Sequence, residues 1–151
     1  MEFNWINIFD GIIVLLILIP NIIHALRRNN ADERKIHIPM YLKFCEQIGR
    51  YGCMILMILP LFVWKFGFNP MEFLFVYLGA NAILLISYYM CWIAYSRKKG
   101  ADTALALAVI PTLIFIVSGY LLKHWALIIM AVVFGISHCT ITVMTHKNMN
   151  C

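Results

Sequence analysis

The chain has 151 residues, 63% hydrophobic and 13% charged, with a mean hydropathy of +0.84 and a formal net charge of +5 at pH 7. A soluble domain of this size carries about 25% charged residues, so this chain has too little polar surface to cover a water-soluble globule. Lipid is the solvent for most of it, and its length is better counted in membrane spans of about 20 residues.

Five apolar segments follow one another, and none alternates apolar and polar residues as a membrane β-strand does over about ten positions. Helices satisfy their own backbone hydrogen bonds in lipid. The expected fold is therefore all-α: a polytopic bundle of five transmembrane helices forming one domain over residues 1–151. The first segment runs from about Trp5 to Leu26. No positive charge precedes it and no A-x-A-like site follows it, so it reads as a span rather than a cleaved signal peptide. At 100° per residue, Asn21, His24 and Arg28 all return to within about 40° of the direction of Asp10. The segment thus carries a polar stripe, and a polar face on a membrane helix points at protein or water. Asp10 itself reads either as a shallow, solvated acid at the helix N-terminus or as a deeper functional group. Pro20 frees a backbone carbonyl inside the span.

The link RRNNADERKIHIPMYLK, Arg27 to Lys43, is the longest soluble piece and the natural docking segment for a cytoplasmic partner; Pro39 blocks a continuous helix there. The second span, about Phe44 to Phe66, opens FCEQIGRYGC. Glu46 and Arg50 are four residues apart and face one another on a helix. Cys53 and Met57 continue that face, and Gly49 and Gly52 form a patch for close helix approach. FGFNP, Phe66 to Pro70, reads as a turn. The third span, about Glu72 to Ser96, places Asn81 near the midplane, with Ser87 and Tyr88 deeper. The fourth, about Asp102 to Leu122, contains Pro111, Thr112, Ser118 and Gly119. Its DTALALAVIPT resembles DGIIVLLILIPN of the first span, a weak hint of the inverted repeats that some transporters use. LLKHW allows only a tight hairpin into the fifth span, about His124 to Thr145, whose inner end reads GISHCT around His138.

Basic residues set the orientation. Arg27, Arg28, Arg34, Lys35, Lys43, Arg50, Arg97, Lys98, Lys99 and Lys147 fall on one side, and Lys65 and Lys123 on the other. Ten against two places the N-terminus outside and the C-terminus in the cytoplasm. Trp5, Trp64, Tyr120 and Trp125 then form an outer aromatic belt, and Tyr41, Trp92 and Tyr95 an inner one. The net charge is accounted for by orientation and contact with anionic headgroups, and no nucleic-acid partner is expected.

In this threading Asn21, His24, Glu46, Arg50 and His138 share the cytoplasmic half. With Asp10 and Asn81 they are the candidates for a substrate or ion path. They read either as the lining of a hydrated cavity, where a histidine beside a carboxylate relays protons near neutral pH, or as a Glu46–Arg50 pair that knits the bundle together. The five cysteines, Cys45, Cys53, Cys91, Cys139 and Cys151, form no C-x-x-C pair and no disulfide is expected. No metal or cofactor motif, and no set of catalytic residues, is legible.

The strings LIPNIIHALRR, EQIGRYGC and IPTLIFIVSGYLLKHWALIIMAVVFGISH resemble an uncharacterised family of small multi-spanning bacterial integral membrane proteins. The resemblance implies a multi-pass protein of the bacterial cytoplasmic membrane and brings no catalytic residues with it. The expected function is a permease-like transporter of a small solute or ion through a polar cavity facing the cytoplasm. The alternative is a non-catalytic accessory or scaffold subunit of a membrane complex. A weaker alternative is a lipid-acting enzyme with His138 and Glu46 as acid and base, which lacks a nucleophile. The expected partners are the bilayer and a second copy or larger membrane complex, with Gly49/Gly52 and Gly79/Ala80 as packing surfaces.

Overall fold

The computed structural model describes residues 8–27, 38–59, 71–98 and 100–149. They form five helices and, among the described residues, no strand: α1 (Ile8–Arg27), α2 (Met40–Ile58), α3 (Met71–Arg97), α4 (Ala101–Leu121) and α5 (Trp125–Met149). The all-α class is as expected. The side chains of residues 24, 25, 27, 71–73 and 146–149 lie outside what is described.

Local chemistry sets the helix ends. Pro39 occupies the N-cap of α2 with φ −54°, and its carbonyl accepts from the Leu42 and Lys43 amides at 3.1 and 3.4 Å. A residue without an N–H fits that position, because the first amides of a helix have no intrahelical acceptor. α2 thus begins one turn earlier than the expected start at Phe44, and its last helical residue is Ile58; residues 60–70 are outside the described part. Gly100 caps α4. The α4–α5 hairpin closes with Lys123 in the left-handed region at φ 55°. There the His124 amide donates to the Gly119 carbonyl at 2.7 Å and the Lys123 amide to the Tyr120 carbonyl at 3.1 Å. These two bonds occupy carbonyls that the ending helix leaves open.

α5 packs along its length against α2 on one side and α4 on the other, α3 packs on α4, and α1 rests more lightly on α2 and α3. Around the bundle the order is α1, α2, α5, α4, α3. Glycines fix the closest approaches. A Cβ on Gly49 would stand 2.8 Å from the Cα and Cβ of Phe134, one on Gly135 2.5 Å from Thr112 Cγ2, and one on Gly119 2.8 Å from Ile128 Cγ1. The expected Gly49/Gly52 surface is therefore used inside the chain, against Phe134 and Met130 of α5, whereas a Cβ on Gly79 would meet nothing within 4 Å. The matched positions of α2 and α5, Gly49 with Phe134 and Gly52 with Met130, step in opposite directions along the two helices, which run antiparallel.

Tyr77, Tyr88, Phe115, Met57, Ile114 and Leu127 fill the centre, while Leu15, Ile19, Ile83, Ile86, Ile129 and Ile136 are exposed on the outside. An apolar exterior is what lipid requires. Three segments are long and apolar enough to cross a membrane: Leu74–Arg97, Ala101–Leu121 and Trp125–Thr145. This marks a membrane protein. Among the described residues α1 contributes the apolar stretch Ile8–Ile23, and α2 carries Lys43, Glu46 and Arg50. The acids of the two similar strings differ in setting: Asp10 is fully buried and Asp102 exposed.

Candidate functional site: polar groups inside the bundle

The α2–α5 register brings the first cluster together. Glu46, Gly49, Cys53 and Met57 form the buried face of α2. Because Gly49 lets α2 touch the backbone of α5 at Phe134, the side chains one turn away, Glu46 and His138, meet. Glu46 Oε1 lies 2.8 Å from His138 Nδ1 and also accepts from Arg50 Nη2. Glu46 is buried, with its side chain 11% exposed, against 26% for His138 and 35% for Arg50. The imidazole stacks on Phe134, with ring centroids 5.1 Å apart and planes 15° apart. One carboxylate oxygen thus serves two nitrogen donors, a guanidinium and an imidazole. Beside it the Ser137 hydroxyl donates to the Val133 carbonyl of its own helix.

A second cluster joins α1 to α3. Pro20 has no N–H, which leaves the Leu16 carbonyl without its helical donor. The Tyr89 hydroxyl supplies one at 2.8 Å. One residue on, Asn21 Nδ2 donates to the Ile17 carbonyl and to the Tyr88 hydroxyl, both at 3.0 Å. Tyr88 is buried. A third pairs α3 with α4: the Ser118 hydroxyl donates to Asn81 Oδ1 at 3.3 Å, and Asn81 Nδ2 to the Tyr77 carbonyl at 3.0 Å. Asn81 and Ser118 are both buried.

The expected path residues therefore separate into groups. Glu46, Arg50 and His138 come together; Asn21 and Asn81 sit in their own clusters. Asp10 lies in the first turn of α1 and is fully buried, so it is not a solvated acid. It shares the inward face of α1 with Ile13, Val14 and Ile17. The side chain of His24, and Arg28 entirely, lie outside the described residues.

At the hairpin, outside the three candidate spans, His124 is buried, and its Nδ1 accepts the Leu127 amide at 3.3 Å as a cap on α5. Burial pushes this imidazole below its usual range, although its own backbone hydrogen bond works the other way. Among the described residues no three His, Cys, Asp or Glu side chains converge as metal ligands would. The two best-formed cavities are open apolar grooves. One, of about 420 Å³, lies along α3 at Leu85, Tyr89 and Met90; the other, of about 350 Å³, lies between α4 and α5 at Thr112, Gly135 and Cys139.

Tyr89, Phe134 and the capping role of His124 carry no motif or spacing that marks them in the sequence. The signal for Tyr89 lay in the freed carbonyl at Leu16, a vacancy that requires a donor from another helix.

Compared with family models, with curated proteins and with solved structures, the chain matches none of them.

Proposed function

We propose that the chain is a small multi-pass permease of the bacterial cytoplasmic membrane, carrying a small ion or solute along the polar groups inside a five-span bundle. One observation carries this reading. Polar side chains paired between helices are drawn from all five and occupy successive depths; Glu46, Asn81, Tyr88 and Ser118 are buried, His138 is half-buried and Asn21 is exposed. Measured from Lys123 in the hairpin at about 1.5 Å per residue, Ser118 lies roughly 8 Å in and His138 roughly 22 Å in. Tyr88 lies roughly 10 Å beyond Asn81 along α3 by the same rise. Polar groups held inside a membrane bundle are costly and mark paths for ions and substrates. The antiparallel packing of α2 on α5 supports a shared depth for the two helices, and hence a spanning α2 despite its charges. The ten-to-two basic bias supports an outside N-terminus and a cytoplasmic C-terminus.

The accessory reading draws on the two open apolar grooves, each a seat for a neighbouring apolar helix. Reconstitution separates the two. The purified chain, placed in liposomes carrying an imposed potential and separate K⁺, Na⁺ or proton gradients, is expected to dissipate at least one gradient faster than protein-free liposomes. Glu46→Gln and Arg50→Gln are expected to slow it. A tight membrane under every gradient would favour the accessory reading.

A further inference from the structure

We infer that the species this permease moves is the proton, and that its binding site is the dyad of His138 and Glu46, with Arg50 as the counter-charge that proton uptake displaces. The inference rests on the permease reading and names its substrate.

Three features argue for it. First, the dyad has a place for one proton. With Nδ1–H donated to Glu46 Oε1 across 2.8 Å, the imidazole Nε2 keeps its lone pair and takes a proton from hydronium. One N–H bond forms, one O–H bond of the hydronium breaks, and water is left behind. Second, the charges are balanced before uptake and unbalanced after it. Carboxylate, guanidinium and neutral imidazole sum to zero. The added proton makes the sum +1, with two cations on a single carboxylate oxygen in a largely buried setting. Excess charge inside a membrane bundle is costly, and the group best placed to leave is Arg50, the most exposed of the three. Release of the proton restores the original pairing, so the dyad alternates between two arrangements. Third, the interior offers hydrogen-bonding side chains, while the best-formed cavities among the described residues lie on the apolar exterior. A proton passes between such groups and ordered water, whereas a solute needs an opening of its own size.

The surroundings isolate the dyad. The ionisable residues of α2 near it are Lys43, Cys45, Arg50, Tyr51 and Cys53. Of these, Lys43 and Tyr51 are exposed, Cys53 is buried further along the helix, and Arg50 is the one that shares Glu46. The ionisable residues of α4 are Asp102 and Tyr120, at its two ends and both exposed. On α5 itself Cys139 adjoins His138 and lines the outer groove between α4 and α5.

The experiment uses the full chain in liposomes loaded with a pH-sensitive dye, with a potassium gradient and valinomycin setting the potential. A voltage-sensitive dye is read in parallel. The expected result is lumen acidification faster than in protein-free liposomes, falling to the protein-free rate in His138→Phe, which keeps the stack on Phe134, and in Glu46→Gln. A potential that collapses on Na⁺ addition while lumen pH stays at the protein-free rate overturns the proton inference and leaves the permease reading standing. Silence in both dyes removes both. Proton flux unchanged in the two variants overturns the assignment of the site. Should either variant fail to fold, nitrogen-15 NMR of the histidines in the wild-type chain decides. The expected result is a change of the His138 ring between singly and doubly protonated forms across the pH gradient that drives flux, and a ring that stays in one form throughout overturns the proposal.

Discussion

His124 shows how much one side chain settles at a helix junction. Its Nδ1 accepts from the Leu127 amide, so Nε2 carries the hydrogen, and that atom is buried without an acceptor among the described residues. Burial favours the neutral ring and holds its pKa below the usual value. The unfolded chain takes up a proton near pH 6.5, while the folded chain resists until the pH is lower. Stability is therefore greatest above about pH 6.5 and falls as the pH drops from there toward the lowered folded value. In detergent, the wild-type melting temperature is expected to decline between about pH 7 and 5. His124→Asn keeps a capping oxygen for Leu127 and should flatten that decline, while His124→Ala should cost about 1 kcal/mol at pH 8 through loss of the cap. A decline of equal steepness in His124→Asn would assign the pH dependence to another group.

At the scale of elements, the packing rests on where a Cβ is forbidden. Gly49→Ala puts a methyl 2.8 Å from the backbone of Phe134 and pushes α2 off α5, at an expected cost of about 1–3 kcal/mol. Gly79→Ala meets no atom within 4 Å and should gain about 0.5–1 kcal/mol from helix propensity. Unfolding in graded denaturant checks both, and equal effects would contradict the packing. The joint between α1 and α3 makes a separate prediction. Tyr89→Phe leaves the Leu16 carbonyl without the hydroxyl that replaces the missing Pro20 N–H. Its cost is about 1 kcal/mol, read as roughly fivefold faster hydrogen exchange around residues 16–21 with α4 unchanged. These joints also explain what the sequence could reveal. Glu46 and Arg50 were legible as a pair because four residues is a distance within one helix. The third member, His138, depends on the register of α2 against α5, which the glycines set. Asp10 was legible as a polar mark on α1 and is buried, whereas Asn21, on the same expected stripe, is exposed and reaches the Tyr88 hydroxyl of α3. In α3, α4 and α5 the lipid-facing and core-facing residues are alike in polarity, so periodicity does not separate them. The role of Tyr89 follows from which helix lies beside Pro20.

For the whole molecule the decisive quantity is the number of crossings. Three helices have the length and hydropathy to span, whereas α2 places Lys43, Glu46 and Arg50 within its first eleven residues. A short or charged helix can lie along the membrane surface, but α2 does not have that freedom if α5 spans. Gly49 meets Phe134 and Gly52 meets Met130 in the middle of α5, so both helices sit at one depth, with Glu46 neutralised by Arg50 and hydrogen-bonded to His138. α1 bonds α3 at Leu16, Ile17 and Asn21, midway along a candidate span, which supports the same depth for it in the proposed five-span reading. Five crossings put residues 4, 65 and 123 on the outer face and residues 34, 98 and 147 inside. Three crossings would put residues 4, 34 and 65 together. Single cysteines in a cysteine-free chain, introduced as Asn4→Cys, Arg34→Cys, Lys65→Cys, Lys98→Cys and Lys123→Cys, distinguish the two with a membrane-impermeant thiol reagent on intact cells. Labelling is expected at positions 4, 65 and 123 and not at 34 or 98. Position 34 labelling like positions 4 and 65 would leave α1 and α2 outside the membrane core, and Glu46 could then no longer lie on a path through it.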